Sequence, residues 1–184
     1  MRNIQPGLFN DVSVGDFKIT GDPAVATDVV NFVDLNAEEV VMDDGCGWNA
    51  RFESMTADLF ASVGCSASRS QIVIADSTIG HTSTTQSVFY ALNSDITIGE
   101  TAVTSTATLG TNNIYLAQVD TNSNIRLVEV TQDGDACADS SGATGDCDVD
   151  VASSSSEIWY GGLATCLLYT SDAADDTPCV DLGG

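Results

Sequence analysis

One histidine, six cysteines and 27 carboxylates are the side chains of this 184-residue chain that could carry chemistry. His81, in Ile79-Gly-His-Thr-Ser83, is the single imidazole, so any histidine-activated nucleophile must use it. Such activation needs a base in reach of the nucleophile and a third group that orients the base. No Gly-x-Ser-x-Gly elbow frames a serine, and no P-loop or G-x-G-x-x-G run follows a strand-like segment. His81 therefore reads as structural. Glycosidases need only two carboxylates about 5–9 Å apart, but with 27 acids some pair meets that distance by chance. Trp48 and Trp159 have rings able to stack on a sugar, although tryptophan in a β-rich chain is usually core. No catalytic residue is assigned, and the chain reads as non-enzymatic.

The densest ligand candidate is Asp133-Gly-Asp-Ala-Cys-Ala-Asp-Ser-Ser-Gly-Ala-Thr-Gly-Asp-Cys-Asp-Val-Asp150. It gathers Asp133, Asp135, Asp139, Asp146, Asp148 and Asp150, with Cys137 and Cys147 placed to clip the segment shut. Calcium takes six to eight oxygen ligands, and a pinned loop lowers the cost of ordering them. The EF-hand spacing is absent, since the glycine at position 6 and the glutamate at position 12 are missing. Calcium is thus the one cofactor the sequence suggests, against a plain reading as a solvated acidic loop held by a disulfide.

Cys46, Cys65, Cys137, Cys147, Cys166 and Cys179 form an even set without a C-x-x-C pair, and one histidine leaves no zinc spacing. Disulfides made outside the reducing cytosol fit better. Six cysteines allow 15 pairings; the sequence-local ones are Cys46–Cys65 and Cys137–Cys147.

Charge bounds the partners. The 27 acids, 21 Asp and 6 Glu, face five bases (Arg2, Lys18, Arg51, Arg69 and Arg126), for a net charge of −22. Phosphate backbones are held by clustered Lys and Arg, which this chain lacks, so nucleic acid and anionic membranes are poor partners. A field of that sign favours solubility, cations or basic partners, and suits a salt-adapted surface. No apolar run reaches the roughly 18 residues of a membrane span. Met1 to Asn10 has no apolar core of a secretory signal, so none is expected. A hydrophobic fraction of 43% argues for a folded core.

The elements that must position these residues read as strands. Asp-rich, Ser- and Thr-rich composition disfavours helix interiors and supplies turns. Gly15-Asp-Phe-Lys-Ile-Thr20 alternates, and Val25–Val33 and Val40–Met42 are strand candidates. Gln71–Ala75, Ser87–Leu92, Asp95–Gly99 and Ala102–Leu109 are short, β-branched and aromatic. Asn113–Val119 and Ile125–Val130 alternate around Asp120-Thr-Asn-Ser-Asn124, which predicts a hairpin. Asp133–Ser156 is an acidic, Gly- and Ser-rich insertion before a closing strand, Glu157–Tyr160.

One segment differs. Phe52, Met55, Leu59, Phe60 and Val63 recur at the spacing of a helical face, with Asn49 to cap and Gly64 to stop, predicting a helix over 50–63. Such a helix is about 21 Å long, whereas bridged cysteines have Cα atoms about 4.4–6.8 Å apart. The helix and Cys46–Cys65 therefore compete, and the helix is favoured. The expected fold is all-β, a small antiparallel sandwich or barrel with that one helix and no fixed-period repeat. Its parts are an N-terminal anchoring region, 1–69, a display domain, 70–160, and a C-terminal tail, 161–184.

Two resemblances complete the reading. Cys166-Leu-Leu-Tyr-Thr-Ser-Asp-Ala-Ala-Asp175 resembles a translated transposase sequencing adapter, so residues from about 166 onward are left out of the fold reading. The alternative is a native strand, Leu163–Thr170, with Cys166–Cys179 closing a loop. Residues 71–131 carry the other, in Gln71-Ile-Val-Ile-Ala-Asp-Ser-Thr-Ile-Gly-His-Thr82, Val88-Phe-Tyr-Ala-Leu-Asn93, Ile96-Thr-Ile98 and Ile114-Tyr-Leu-Ala-Gln-Val-Asp-Thr-Asn-Ser-Asn-Ile125. This order resembles a β module of tailed-phage virion structural proteins, found in tail fibres, head fibres and baseplate-attached proteins. It departs from them at Leu127-Val-Glu-Val130, where such modules often end in a D-L-R type sequence. The resemblance implies a non-enzymatic virion-surface subunit, in a fibre, decoration or attachment role, that assembles with itself and with other virion subunits. A secreted, disulfide-stabilised subunit of a cell-surface filament or adhesin is the alternative.

Overall fold

A computed structural model describes residues 8–21, 29–137 and 147–161. Strand follows strand in the order β1 (Leu8–Ser13), β2 (Asp16–Thr20), β3 (Val29–Asn36), β4 (Glu39–Gly45), β5 (Asn49–Glu53) and β6 (Thr56–Ala57). Then come β7 (Leu59–Gly64), β8 (Ser70–Ala75), β9 (Thr78–His81), β10 (Phe89–Leu92), β11 (Ser94–Gly99) and β12 (Ala102–Ser105). The last are β13 (Ala117–Val119), β14 (Asn124–Val128), β15 (Thr131–Gln132), β16 (Asp135–Ala136), β17 (Val149–Val151) and β18 (Glu157–Tyr160). There is no helix among the described residues, and so none long and apolar enough to cross a membrane.

Each strand pairs with the strand about one coil later, not with its neighbour in sequence. One ladder runs β2-β4-β7-β10-β13-β17, and a second runs β3-β5-β8-β11-β14-β18 with β1 against β3. A third, β6-β9-β12-β15-β16, branches from the far end of the long β3. All strand pairs are parallel except β15 with β16. The chain therefore winds as a three-sided coil, with β7, β8 and β9 as one complete turn of it. The all-β expectation holds, but the antiparallel sandwich or barrel is replaced by large, mainly parallel sheets. These run unbroken through residue 70, since β5 pairs β8 and β7 pairs β10.

Parallel in-register stacking puts like on like. Ala50, Ile72, Ile96, Ile125 and Ile158 form one inward column of the second ladder, and Phe9, Phe32, Phe52, Ile74, Ile98, Leu127 and Tyr160 the next. From the first ladder Val40, Phe60, Phe89 and Ala117 point at them. Ala57, Ile79 and Val103 close the third side. All but Phe9, Ile158 and Tyr160 are buried. The columns recur at unequal intervals along the chain, which is why no fixed period is visible in the sequence.

Residues 50–63 are β5, β6 and β7, not a helix. Phe52, Met55, Ala57 and Phe60 all point inward, but they do so across three short strands joined by tight corners. A corner residue adds one position to the period of two, and the result imitates the spacing of a helical face. Asn49 begins β5 and Gly64 ends β7, so neither is a helix cap. With the helix gone, Cys46 and Cys65 bridge at a Cα separation of 5.0 Å. The predicted hairpin is also corrected. β13 and β14 lie in different ladders, and Asp120 to Ser123 is the corner between them. Asn- and Asp-rich corners of a coil use the same turn chemistry as hairpins, here with Asn122 at a φ of 52°.

Two corner devices keep the coils in register. Where the second ladder begins, Ser70, Ser94, Ser123 and Ser156 are stacked and buried. Trp48 N–H donates to Ser70 Oγ (3.2 Å), Ser94 N–H to Ser123 Oγ (3.3 Å) and Ser123 N–H to Ser156 Oγ (3.1 Å). Each hydroxyl accepts an amide that the corner withdraws from the ladder. Ser123→Ala strands the buried Ser94 amide, and a loss of about 1–3 kcal/mol is expected in urea unfolding. A midpoint unchanged from the wild type would show that another acceptor replaces the hydroxyl.

Where the second ladder ends, Asp11, Asp34, Ser54, Asp76, Glu100 and Glu129 all take positive φ, between 48° and 55°. Aspartate tolerates that region through its short polar side chain, and glutamate less so. Asp76 N–H donates to Gly99 O (3.2 Å) and Glu100 N–H to Val128 O (3.0 Å), so these corners lie over one another. A hydrogen bond with Asp76, then the Asp76 charge, some desolvation and the Glu129 charge together raise the Glu100 pKa above its ordinary value. A raised carboxyl pKa in the folded chain means that the charged form is the unfavourable one. The penalty is absent below the ordinary glutamate range and present once pH rises through the raised value. Glu100→Gln is therefore expected to raise Tm at neutral pH and low salt. The gain should shrink at acid pH and with added salt; a gain independent of both would mean that charge is not its cause.

Candidate functional site

The outward side chains of the second ladder form a groove of ligand size among the described residues. Alternation sends every second residue of a strand outward, and parallel register stacks these in two rows. Asp95, Asn124 and Glu157 make one row; Thr97, Arg126 and Trp159 make the other. Between them lies a groove of about 320 Å³ lined by these six side chains and Ile96. That is the lower end of the size of small-ligand sites.

The chemistry within the groove is uneven. Asp95 is fully engaged: Arg69 makes an ion pair with Oδ1, Gln71 Nε2 donates to Oδ2 (2.7 Å) and Asn124 Nδ2 donates to Oδ1 (2.9 Å). A carboxylate so held is a fixed wall of the groove. Arg126, half-buried, makes no ion pair among the described residues, unlike Lys18 with Asp43 (2.6 Å) and Arg51 with Glu53 (3.3 Å). Trp159 stands beside it in register and is 52% exposed. Glu157 at the rim is exposed.

The other residues singled out from sequence fall elsewhere. His81 is buried, with Nδ1 3.2 Å from the Asp58 carbonyl oxygen and Nε2 without a partner among the described residues. Trp48 is core, 3% exposed, and its indole N–H donates to Gly21 O (2.8 Å). The two tryptophans that looked alike in sequence thus part company, because Trp48 sits at an inward corner and Trp159 at an outward strand position.

Cys137 and Cys147 form a disulfide with Cα atoms 5.1 Å apart, as the local pairing predicts. Of the six aspartates around it, Asp139 and Asp146 lie outside the described residues. Asp133 Oδ1 accepts from Ser105 N–H (2.9 Å), Asp148 Oδ2 from Gln132 Nε2 (3.1 Å) and Asp150 Oδ2 from Gln118 Nε2 (3.4 Å), while Asp135 is exposed on β16. No three acidic, histidine or cysteine side chains converge on a metal-sized site among the described residues. Asp133, Asp148 and Asp150 thus each satisfy a neighbouring amide. Cys166, Cys179 and the whole adapter-like segment also lie outside the described residues.

The two disulfides fit an extracellular or secreted protein. Comparison with protein-family models, with curated proteins and with solved structures returns no match.

Proposed function

We propose that this chain is a non-enzymatic surface subunit of a phage virion, in a fibre, decoration or attachment role, acting through oligomeric assembly. The observation that carries the reading is the disulfide-pinned parallel coil, which buries a continuous core and has the in-register columns of a stiff rod. Such a coil suits display better than turnover, because nothing in it must open or close. Asp95, one of the two groove carboxylates, is held by three partners. The strongly acidic exterior keeps copies soluble until a matched surface meets. Assembly is supported by the ladder ends: β17 and β18 pair on one side only among the described residues. An edge of this kind is a template for another chain.

The two disulfides also favour a second reading, a secreted filament or adhesin subunit. Immunogold microscopy with antibody against the folded chain separates the two. Gold on the heads or tails of released particles supports the virion reading, and gold confined to cell-surface filaments overturns it. Light scattering of the purified chain should report an oligomer, and a monomer at all concentrations would remove the assembly claim.

A further inference from the structure

We infer that the groove between Asp95, Asn124 and Glu157 on one row and Thr97, Arg126 and Trp159 on the other binds a neutral pyranose unit of a surface glycan. The inference concerns the isolated chain and stands whether or not that chain belongs to a virion.

The occupant is chosen by three features. Trp159 offers an exposed indole, and a large aromatic surface left in water beside a groove favours a ligand with an apolar face. The C–H faces of a pyranose are such a surface, whereas a metal ion has none. Arg126 and Glu157 are opposite in hydrogen-bonding sense, and neither is committed to a partner among the described residues. Arginine has five donors and a carboxylate is an acceptor only, so together they match vicinal hydroxyls, each of which donates and accepts. Thr97 adds a hydroxyl of both kinds.

Charge then selects neutral over acidic sugars. Asp95 and Glu157 are balanced by Arg69 and Arg126, so the groove is close to neutral on a chain of net charge −22. An acidic glycan would meet the field of the whole molecule without a net positive patch to offset it. The fixed Asp95 wall argues for binding without cleavage.

The test uses the full-length chain, with short neutral oligosaccharides (glucan, mannan, galactan and chitin types) and acidic ones (alginate and polygalacturonate). Isothermal titration calorimetry reads binding in the wild type and in every variant, including those that lack Trp159. In the wild type a change of tryptophan emission is a second readout of Trp159, since Trp48 is core. At least one neutral type is expected to saturate and the acidic types to be weaker. Trp159→Ala and Arg126→Ala should each weaken binding about tenfold or more, the worth of one aromatic or charge-assisted contact. Trp159→Phe should fall between the two extremes, which guards against an alanine variant that folds poorly. Binding of acidic glycans only, binding of none, or binding unchanged in all three variants overturns the assignment.

Discussion

Phe52→Ala should unfold this protein more readily by about 3–5 kcal/mol, the usual cost of deleting a buried ring. Phe52 has no exposed surface, stacks on Phe32 at 4.8 Å and 13°, and meets the Phe60 edge at 5.1 Å and 72°. Phe32 is in turn stacked on Phe9 at 5.1 Å and met by Phe17 at 5.2 Å. The ring therefore joins the second ladder to the first at the centre of an aromatic stack. Domains are stable by only about 5–15 kcal/mol, so this one change removes a large share of the total. Phe52→Leu, which keeps most of the volume, should cost far less. A double-mutant cycle with Phe60→Ala should give a coupling of about 0.5–1.5 kcal/mol. Guanidinium midpoints decide it: a loss below about 1 kcal/mol for Phe52→Ala would be incompatible with a buried ring at this position.

Removing the Cys46–Cys65 bridge is the second large effect. The cysteines are 19 residues apart in sequence and follow β4 and β7, strands that pair directly. The bridge clips one coil to the next and shortens the loops available to the unfolded chain. For a loop of that length the expected loss is about 3 kcal/mol in the Cys46→Ser/Cys65→Ser double variant. Unfolding of the wild type with and without reductant should show a similar difference, enlarged by the Cys137–Cys147 bridge. Equal midpoints in the two conditions would mean that the bridges do not constrain the unfolded state. The same bridge is at odds with the helix predicted over 50–63. A helix over 50–63 would hold its ends about 21 Å apart, and the bridged Cα atoms are 5.0 Å apart.

Much of the strand content was legible from single segments. Gln71–Ala75 and Asp95–Gly99 are strands where alternation and β-branching put them, and Glu157–Tyr160 is the closing strand. Cys137–Cys147 is the sequence-local pairing found in the structure, whereas Cys46–Cys65 is the local pairing that the predicted helix disfavoured. These signals are readable because they depend on residues a few positions apart. Residues 50–63 show where such reading fails: inward positions counted across two corners mimic a helical period, and only the sheet partners distinguish the cases.

Strand partnership was the property that no local pattern contained. Asp120 to Ser123 turns the chain as a hairpin loop would, yet it sends β14 to β11 and β18 instead of back to β13. That choice rests on burying Ile125 and Leu127 in columns with Ile96 and Ile98, residues a full coil earlier. The groove has the same origin. Thr97, Arg126 and Trp159 are far apart in the chain, and nothing near any of them marks it as a partner of the others. From its own residues the chain determined that it would be extended, acidic and cross-linked. The tertiary structure decided which strands lie together and which tryptophan faces water, because parallel register is set by core columns that form only when successive coils stack.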